Sequence, residues 1–321
     1  MLSVNIPRGA TLDRTIVAPD GAIPPGAVWL DLLCPSPPES KLVEQALRLE
    51  VPTREEMQEI EPTSRLYAEN GARYMTATMM CRSETDNPTT TAVTFILSDR
   101  RLITVRYDEP RPFTLVANKF ARACPPTLTG ELVLMELLDA IVDRAADILE
   151  RISAEVDRIS QTIFTSKERS LDYRAIMTSI GRQGDLTSKV RECLVSIGRL
   201  LLYLANEADT MRWAKDQRAS LKGMQRDAQS LSDHATYLAN KITFLLDAMV
   251  GVISIEQNNI IKIFSVAAVV FMPPTLIASL YGMNFKHMPE LDWGFGYPLA
   301  IVLMIVAAII PYVFFKIKRW L

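Results

Sequence analysis

The stretch IFSVAAVVFMPPTLIASLYGMNF, residues 263–285, contains no Asp, Glu, Lys or Arg, and residues 293–315 form a second uncharged stretch. Each stretch has roughly 23 residues. At about 1.5 Å of rise per residue, a helix of that length crosses a hydrocarbon core of about 30 Å. Buried helices of soluble proteins rarely need so long an uncharged run, so the pattern favours two transmembrane helices joined by a short loop.

The charges beside the two stretches predict their orientation. Lys316, Lys318 and Arg319 directly follow the second stretch, whereas the connecting loop carries Lys286 and two acidic residues. Because Lys and Arg accumulate on the cytoplasmic side of membrane proteins, the basic tail is expected in the cytoplasm. Two spans return the chain to its starting side, so the residues before the first span are also expected there. No secretion signal is predicted in the first 15 residues.

The residues that usually carry enzyme chemistry are few and scattered. No metal-binding, hydrolase or phosphate-binding motif can be assembled from them, so neither an enzyme nor an organic cofactor is predicted. A formal net charge of −2 and the absence of a basic run before the tail give no reason to propose a nucleic acid partner. The cysteines and histidines are Cys34, Cys81, Cys124, Cys193, His234 and His287.

Proline divides the region before the spans into two parts. Fourteen of the nineteen prolines lie at or before Pro126, and none follows until Pro273. Residues 1–126 contain β-branched and aromatic runs of strand length between helical patterns, which predicts an α/β domain with a sheet. The predicted strands are residues 27–33, 73–82, 90–98 and 102–107, and the predicted helices are residues 38–49 and 53–60.

After Pro126 the apolar period changes to that of a helix. Apolar residues spaced by three and four from Leu134 to Ile163 predict one long helix. Two glycines, Gly181 and Gly184, and the polar residues 165–174 predict a break. A second helical segment is expected at residues 188–203.

A third helix is predicted to begin near Asp209 and to continue without interruption to Met272, inside the first span. A helix of that length is not stable alone in water, so it is expected to bundle with the preceding helices or with other copies of the chain.

The carboxyl-terminal region resembles the CorA family of divalent-cation channels. Gly282-Met283-Asn284 matches the family signature between its two spans, and the tail ending Trp320-Leu321 also fits. Met288-Pro289-Glu290-Leu291 matches the family's loop, and Gly296-Tyr297-Pro298 matches the start of its second span. The likeness is dense over residues 248–321. It is thinner in the amino-terminal domain, where it rests on Trp29-Leu30-Asp31-Leu32, Glu59-Ile60-Glu61 and Ser64-Arg65.

The resemblance implies an α+β membrane protein that forms a homopentameric channel in the bacterial inner membrane, with both termini in the cytoplasm. It implies passive influx of Mg²⁺, and of Co²⁺ and Ni²⁺ as further ions, driven by the membrane potential and closed by cytoplasmic Mg²⁺. The predicted segments are a cytoplasmic α/β domain (1–126), a helical stalk or funnel (127–257), a pore-lining transmembrane helix (258–281), an external loop (282–295), a second transmembrane helix (296–315) and a basic cytoplasmic tail (316–321).

The residue pattern independently favours the first span as the pore lining. Small, polar or flexible side chains recur there at threes and fours, whereas the second span is apolar on every side apart from Tyr312. Helix packing also favours small residues, and that alternative remains open for this stripe. The stripe comprises Asn258, Ile261, Ser265, Ala268, Met272, Thr275 and Ser279.

The loop signature suits Mg²⁺ because this ion sheds its waters reluctantly. A ring of Asn284 amide oxygens and Gly282 carbonyls, beside Met283, is predicted to accept hydrogen bonds from the waters of a hydrated ion. The same residues would equally serve as a helix end and a turn. Glu290 and Asp292 are predicted to concentrate cations at the mouth, although ordinary solvated loop charges fit them too.

The inner part of the pore is expected to combine an amide with an apolar gate. The resemblance gives the position of Asn258 importance for ion passage. Ile261, Phe264 and Met272 are predicted to form a constriction that closes by dewetting. Pro273-Pro274 is predicted to kink the helix beside Met272.

Regulation by Mg²⁺ needs carboxylates between subunits. Asp209, Asp216 and Asp227 are predicted to lie along one stripe of the third helix and to bind the regulatory ion. A solvated acidic face and the acidic excess at residues 131–157 are alternatives. Gly223 departs from the family pattern, since an acidic residue is expected there.

Two other functions remain open. One is a zinc or nickel transporter of the ZntB type, although that branch usually varies the residue that is Met283 here, and His287 alone is weak evidence for zinc. The other is a membrane-anchored scaffold. A pure anchor would not need a polar stripe on only one span.

Overall fold

The computed structural model describes residues 1–85, 87–125, 127–165, 172–211, 213–284, 288–289 and 293–318. The chain divides into two compact units, Met1–Leu245 and Leu246–Leu321. The helix α7, Lys215–Tyr281, contributes residues to both units.

The first unit contains a mixed seven-stranded sheet. Its strand order is β2-β1-β3-β7-β6-β5-β4, and every described pair of neighbours is antiparallel except β3 and β7, which are parallel. The strands are β1 (Leu2–Arg8), β2 (Thr11–Val17), β3 (Trp29–Leu33), β4 (Leu66–Glu69), β5 (Ala72–Cys81), β6 (Thr89–Ser98) and β7 (Arg101–Arg106).

The four predicted strands are confirmed as β3, β5, β6 and β7, but three other strands were missed. β1 and β2 form a hairpin across the two residues that follow Arg8, and the first of them, Gly9, has a φ of 63°. This left-handed conformation suits glycine in a tight hairpin turn. β1 was missed because it contains Pro7, a residue that is uncommon inside strands, and β4 was missed because it has only four residues.

Eight helices are described, and their bounds correct several expectations. They are α1 (Pro37–Leu47), α2 (Arg54–Met57), α3 (Pro62–Arg65), α4 (Arg111–Arg122), α5 (Gly130–Thr165), α6 (Tyr173–Glu207), α7 (Lys215–Tyr281) and α8 (Gly296–Ile317).

The long helix predicted from Leu134 to Ile163 is confirmed as α5. The second segment is longer than predicted, because Gly181 and Gly184 lie inside α6 instead of breaking it. A single glycine costs a helix only about 1 kcal/mol, which packing of an amphipathic face offsets. The predicted start of the third helix was also wrong. Helix α7 begins at Lys215, and Asp209 lies before it, in the turn after α6.

The sheet is buried on both faces. Alternate residues of β6 point to opposite sides, so Phe95 belongs to the core beneath α4 and α5, and Ile96 belongs to the core beneath α1. Leu200 of α6 and Leu221 of α7 join the first of these cores. Helices from beyond residue 126 therefore share a core with the sheet.

A buried ion pair lies on the sheet face that carries α4. Asp31 of β3 accepts two hydrogen bonds from Arg106 of β7, with Nε 2.9 Å from Oδ1 and Nη2 2.8 Å from Oδ2. The two side chains are only 4% and 6% exposed. Thr104 donates to Asp31 at 2.8 Å, and the Arg106 guanidinium lies 4.7 Å from the centre of the Phe113 ring.

Candidate functional site

The side chains that were predicted to line a pore lie on one face of α7. At about 100° of rotation per residue, the seven positions occupy about 100° of the helix circumference. All seven side chains are exposed in the single chain, which leaves this face uncovered. The residues are Asn258, Ile261, Ser265, Ala268, Met272, Thr275 and Ser279.

Three apolar side chains interrupt this face at the predicted gate. Ile261, Phe264 and Met272 are 62%, 72% and 67% exposed. Ile261 and Met272 lie within the face, while Phe264 lies about 20° beyond its edge by helical rotation. Within the described chain these three side chains are available to contact another copy, lipid or a pore.

The helix continues through Pro273 and Pro274. Because proline has no backbone N–H, the carbonyls of Val269 and Val270 cannot accept the usual helical hydrogen bonds. The Thr275 hydroxyl donates to the carbonyl of Phe271 at 2.7 Å, so this bond does not replace either of the two that are missing. The kink predicted at this point stays a prediction.

The signature tripeptide lies where α7 ends. The N–H of Gly282 donates to the carbonyl of Ala278 at 3.0 Å, and the N–H of Met283 lies 3.4 Å from the carbonyl of Leu280. A Cβ at Gly282 would lie 3.0 Å from the same Ala278 oxygen, although the φ of Gly282 is not left-handed. The short distance to this backbone oxygen, and not an unusual dihedral angle, therefore explains why a residue without a Cβ occupies position 282. Gly282, Met283 and Asn284 are all exposed.

The predicted mouth residues Glu290 and Asp292 lie outside the described residues, as do Lys286 and His287 of the same loop. The chain is described again at Trp293, whose carbonyl accepts a hydrogen bond of 2.8 Å from the N–H of Gly296, the first residue of α8. The role predicted for Glu290 and Asp292 stays a prediction.

One acidic residue on the same face was missed. Asp247 precedes Asn258 by eleven residues, which places the two within about 20° of each other around the helix. Val250 and Ser254 lie between them on this face, and all four side chains are exposed. The signal was present in the sequence, because the spacing of three and four continues upstream of Asn258.

The proposed regulatory carboxylates do not share one helix. Asp209 forms an ion pair with Arg218 at 2.5 Å, whereas Asp216 and Asp227 lie on α7. Asp216 is in the first turn, where the positive end of the helix dipole stabilises a carboxylate. The prediction that three aspartates lie along one helix is therefore wrong, and only Asp216 and Asp227 lie on α7.

Asp227 lies in the negative field of another acidic residue. Asp139 on α5 is exposed, but partial loss of hydration raises the pKa of its carboxyl above the ordinary value. The charges of Asp143, Glu136 and Asp227 raise this pKa further, while Lys119 lowers it. The two locations that the sequence left as alternatives, Asp227 and residues 131–157, therefore interact electrostatically. Within the described ranges, no three Asp, Glu, His or Cys side chains come together as a metal site in one chain.

Two helices meet the length and composition of membrane spans. The most apolar 18-residue window is 6% buried in α7 and 0% buried in α8, so neither behaves as the core helix of a soluble protein. α8 carries no charged residue before Lys316, which lies in its last turn, and Lys318 directly follows the helix.

Comparison with known proteins identifies the family. Residues 25–319 match the family described as CorA-like Mg²⁺ transporter protein. The magnesium transport protein CorA of Yersinia pseudotuberculosis is 36% identical over 295 residues, which cover 92% of each chain. The chain belongs to the CorA-like Mg²⁺ transporter family.

Solved structures agree with the fold of this family. The complete CorA magnesium transporter of Methanocaldococcus jannaschii aligns with a TM-score of 0.77 and 17% identity over 100% of this chain and 99% of that one. The ZntB cytoplasmic domain of Vibrio parahaemolyticus aligns with a TM-score of 0.57 and 9% identity, over 77% of this chain and 95% of that one.

The predicted fold class is confirmed in its main parts. This CorA-family chain has an amino-terminal mixed-sheet domain, a long stalk helix and two carboxyl-terminal apolar helices that make it a membrane protein. Family membership also confirms that the chain is a transporter and not an enzyme.

Proposed function

We propose that the chain forms a channel for passive Mg²⁺ influx across the bacterial inner membrane. The observation that carries this proposal is the exposed polar face of α7, which ends at the signature Gly282-Met283-Asn284 in a chain that belongs to the CorA-like family. The relative from Y. pseudotuberculosis, which is 36% identical over 92% of its length, is a magnesium transport protein.

The channel is a homopentamer with α7 of each copy facing a central pore. Its assembly would bury the face that the single chain leaves exposed, and α8 would then face lipid. The basic residues after α8 favour cytoplasmic termini, with residues 1–126 and 127–257 in the cytoplasm, 258–281 and 296–315 in the membrane, and 282–295 outside. Residues 316–321 form the cytoplasmic tail.

The selectivity filter is a ring of exposed oxygen groups. Asn284 supplies amide oxygens and Gly282 supplies carbonyls, while Met283 lies between them. Hydrated Mg²⁺ keeps several of its waters, so neutral oxygens that accept hydrogen bonds from those waters suit it better than a cage of carboxylates. Glu290 and Asp292 would raise the local concentration of cations outside this ring.

Two polar rings lie on the cytoplasmic side of the filter. Asn258 and Asp247 occupy the same face of α7, so fivefold symmetry would give a ring of amides and a ring of carboxylates. The carboxylates would attract dications at the cytoplasmic end of the path, because a ring of like charges raises the local concentration of counter-ions. The amides would contact the hydrated ion without holding it.

Closure occurs at the apolar part of the same face. Ile261, Phe264 and Met272 present side chains that are 62–72% exposed in the single chain. When five such sets approach one another, a narrow apolar passage loses its water and blocks ions. The prolines that follow Met272 weaken the helix where this movement is needed.

The membrane potential supplies the driving force. At an inside-negative potential of 100 mV, each charge gains about 2.3 kcal/mol, so a divalent cation gains roughly 4.6 kcal/mol. Inward movement therefore requires no coupled reaction.

Cytoplasmic Mg²⁺ regulates closure through Asp216 and Asp227. Asp227 lies in the field of Asp139, where bound Mg²⁺ would relieve the repulsion between carboxylates and favour the closed assembly. Asp209 is the weaker candidate, because Arg218 already neutralises it within the chain.

Ion flux into liposomes that contain only this chain tests the proposed function. We expect Mg²⁺ influx, followed with an internal Mg²⁺-sensitive dye, to rise with an imposed inside-negative potential. Asn258→Ala should change this flux, whereas Asn259→Ala, which alters the next residue around the helix and is also exposed, serves as the matched control.

The same preparation separates the alternatives. Zn²⁺ or Ni²⁺ flux without Mg²⁺ flux would favour a ZntB-like transporter and would contradict the proposal. The absence of any divalent flux in a correctly inserted, oligomeric chain would favour a membrane-anchored scaffold.

A further inference from the structure

A large cavity is lined by residues of the first unit, none of which was assigned to the proposed ion path. It has a volume of about 960 Å³. Its walls come from the connection between β5 and β6, from α5 and from the first part of α6. Ligand sites in proteins commonly measure about 300–1,000 Å³, so the cavity has room for a molecule of nucleotide size.

Four arginines line this cavity. Arg151 and Arg158 lie two turns apart on α5, and Arg174 and Arg182 lie about two turns apart on α6. The two helices follow each other in the chain and pack together, so their guanidinium groups reach the same space.

The carboxylates of the cavity are already engaged. Glu84 accepts a hydrogen bond of 2.8 Å from Arg144 and pairs with Arg111, two arginines that do not line the cavity. Glu155 accepts two hydrogen bonds from Arg158, at 2.9 and 2.5 Å.

The third carboxylate has a structural role. Asp172 caps α6 by accepting a hydrogen bond of 3.0 Å from the N–H of Ala175. None of these three carboxylates is paired with Arg151 or Arg174 in a described contact.

The positive charge that remains is held in position. Arg151 donates to the carbonyl of Ser83 at 2.7 Å, which fixes the guanidinium. Its charge contributes, after those of Arg144 and Arg111, to the lowered pKa of Glu84, but no described ion pair joins Arg151 to that carboxylate. The side chain of Arg174 is exposed and makes no hydrogen bond or ion pair to any described residue. Thr178, Ser179 and Gln183 add neutral polar groups to the same wall, and Pro88, Ala154 and Leu186 add apolar surface.

We propose that this cavity binds a polyphosphate-bearing small molecule, with Arg151 and Arg174 contacting the phosphate oxygens. A planar guanidinium donates two parallel hydrogen bonds to a phosphate, and such charge-assisted bonds are about twice as strong as neutral ones. The apolar wall would contact the part of the ligand that carries no charge. This site shares no residue with the proposed ion path and does not depend on the proposed transport function.

Isothermal titration calorimetry on the full chain in detergent tests the proposal. The probes are inorganic triphosphate and ATP in magnesium-free buffer, because both probes chelate Mg²⁺. We expect saturable binding with one site per chain. Tighter binding of ATP would identify a nucleoside polyphosphate as the ligand, and equal binding would identify the polyphosphate group alone; either result supports the site.

Arg174→Gln is expected to weaken binding at least about tenfold, as the loss of a charge-assisted hydrogen bond implies. Since the Arg174 side chain makes no hydrogen bond or ion pair to a described residue, its replacement should leave the thermal unfolding curve unchanged. Arg151→Gln should weaken binding similarly. Arg191→Gln removes the same charge from an exposed position of α6 outside the cavity and is the matched control. An equal loss in the control, an unaffected Arg174→Gln, or no binding by the wild type would each overturn the proposal.

Discussion

Replacing Arg106 by methionine is expected to cost the first unit about 3–5 kcal/mol of unfolding free energy, because it leaves a buried carboxylate without its partner. The structure sets this magnitude: Arg106 supplies two hydrogen bonds of 2.9 and 2.8 Å to an Asp31 side chain that is only 4% exposed. After the change, Asp31 retains the Thr104 hydroxyl at 2.8 Å and Arg14 at 4.0 Å. Methionine preserves much of the packing over Phe113.

The assay is thermal unfolding of the full chain in detergent, followed by tryptophan fluorescence. Trp29 is 2% exposed and donates to Thr104 at 3.0 Å, so it reports on this region. For domains of this size, a loss of 1 kcal/mol in unfolding free energy lowers Tm by about 2–4 °C, so Arg106→Met should lower Tm by roughly 6–20 °C.

Two variants serve as controls for the buried pair. Arg14 is 46% exposed, and its Nη2 lies as far as 4.0 Å from the same carboxylate. Arg14→Met should therefore lower the free energy of unfolding by less than about 1 kcal/mol. Asp31→Leu combined with Arg106→Met should recover part of the loss, because no unpaired charge remains. The reasoning is refuted if Arg106→Met lowers Tm no more than Arg14→Met does.

Four further predictions follow from the ion path and the acidic residues. Asn284→Ala should lower Mg²⁺ flux into liposomes at least about tenfold while the oligomer stays intact on a sizing column, and wild-type flux would contradict the filter. Met272→Ser should wet the constriction, so that internal Mg²⁺ inhibits flux less; unchanged inhibition would place closure elsewhere. Asp216→Asn with Asp227→Asn should raise the internal Mg²⁺ needed for closure, and identical protection of the stalk from proteolysis by Mg²⁺ in variant and wild type would argue against this sensor. The pKa of Asp139 is raised in the folded state, so the folded protein loses stability as pH rises from 3.8 through that raised pKa. Asp139→Asn should therefore raise Tm at neutral pH and give no such gain below pH 3.8. A gain in Tm that is independent of pH would contradict this prediction.

Features that depend on neighbouring positions could be predicted from the sequence. The absence of charge over roughly 23 residues marks a membrane span wherever the helix packs, since the length of the run alone matches the membrane. The face from Asn258 to Ser279 follows from the helical period, because α7 continues as one helix over these residues. Its role in a pore stays a prediction. The same period would have revealed Asp247.

The end of α6 and the start of α7 depended on contacts that the sequence does not display. Asp209 follows α6 closely, and only the turn that buries Trp213 separates the two helices. The glycines inside α6 are tolerated because its other face is buried against α5 and the sheet. Local propensity therefore gave the wrong boundaries where packing decided them.

The sequence by itself determined the two spans and the polar face, because both are properties of a single helix. Only the tertiary structure decided which distant residues meet. Asp31 and Arg106 are 75 positions apart and pair because β3 and β7 lie side by side and parallel in the sheet. Arg151 and Arg174 reach one cavity because α5 and α6 pack together beside the β5–β6 connection. Pairing of strands and packing of helices bring together residues that no local pattern links, since burial of apolar surface selects them over the whole chain at once.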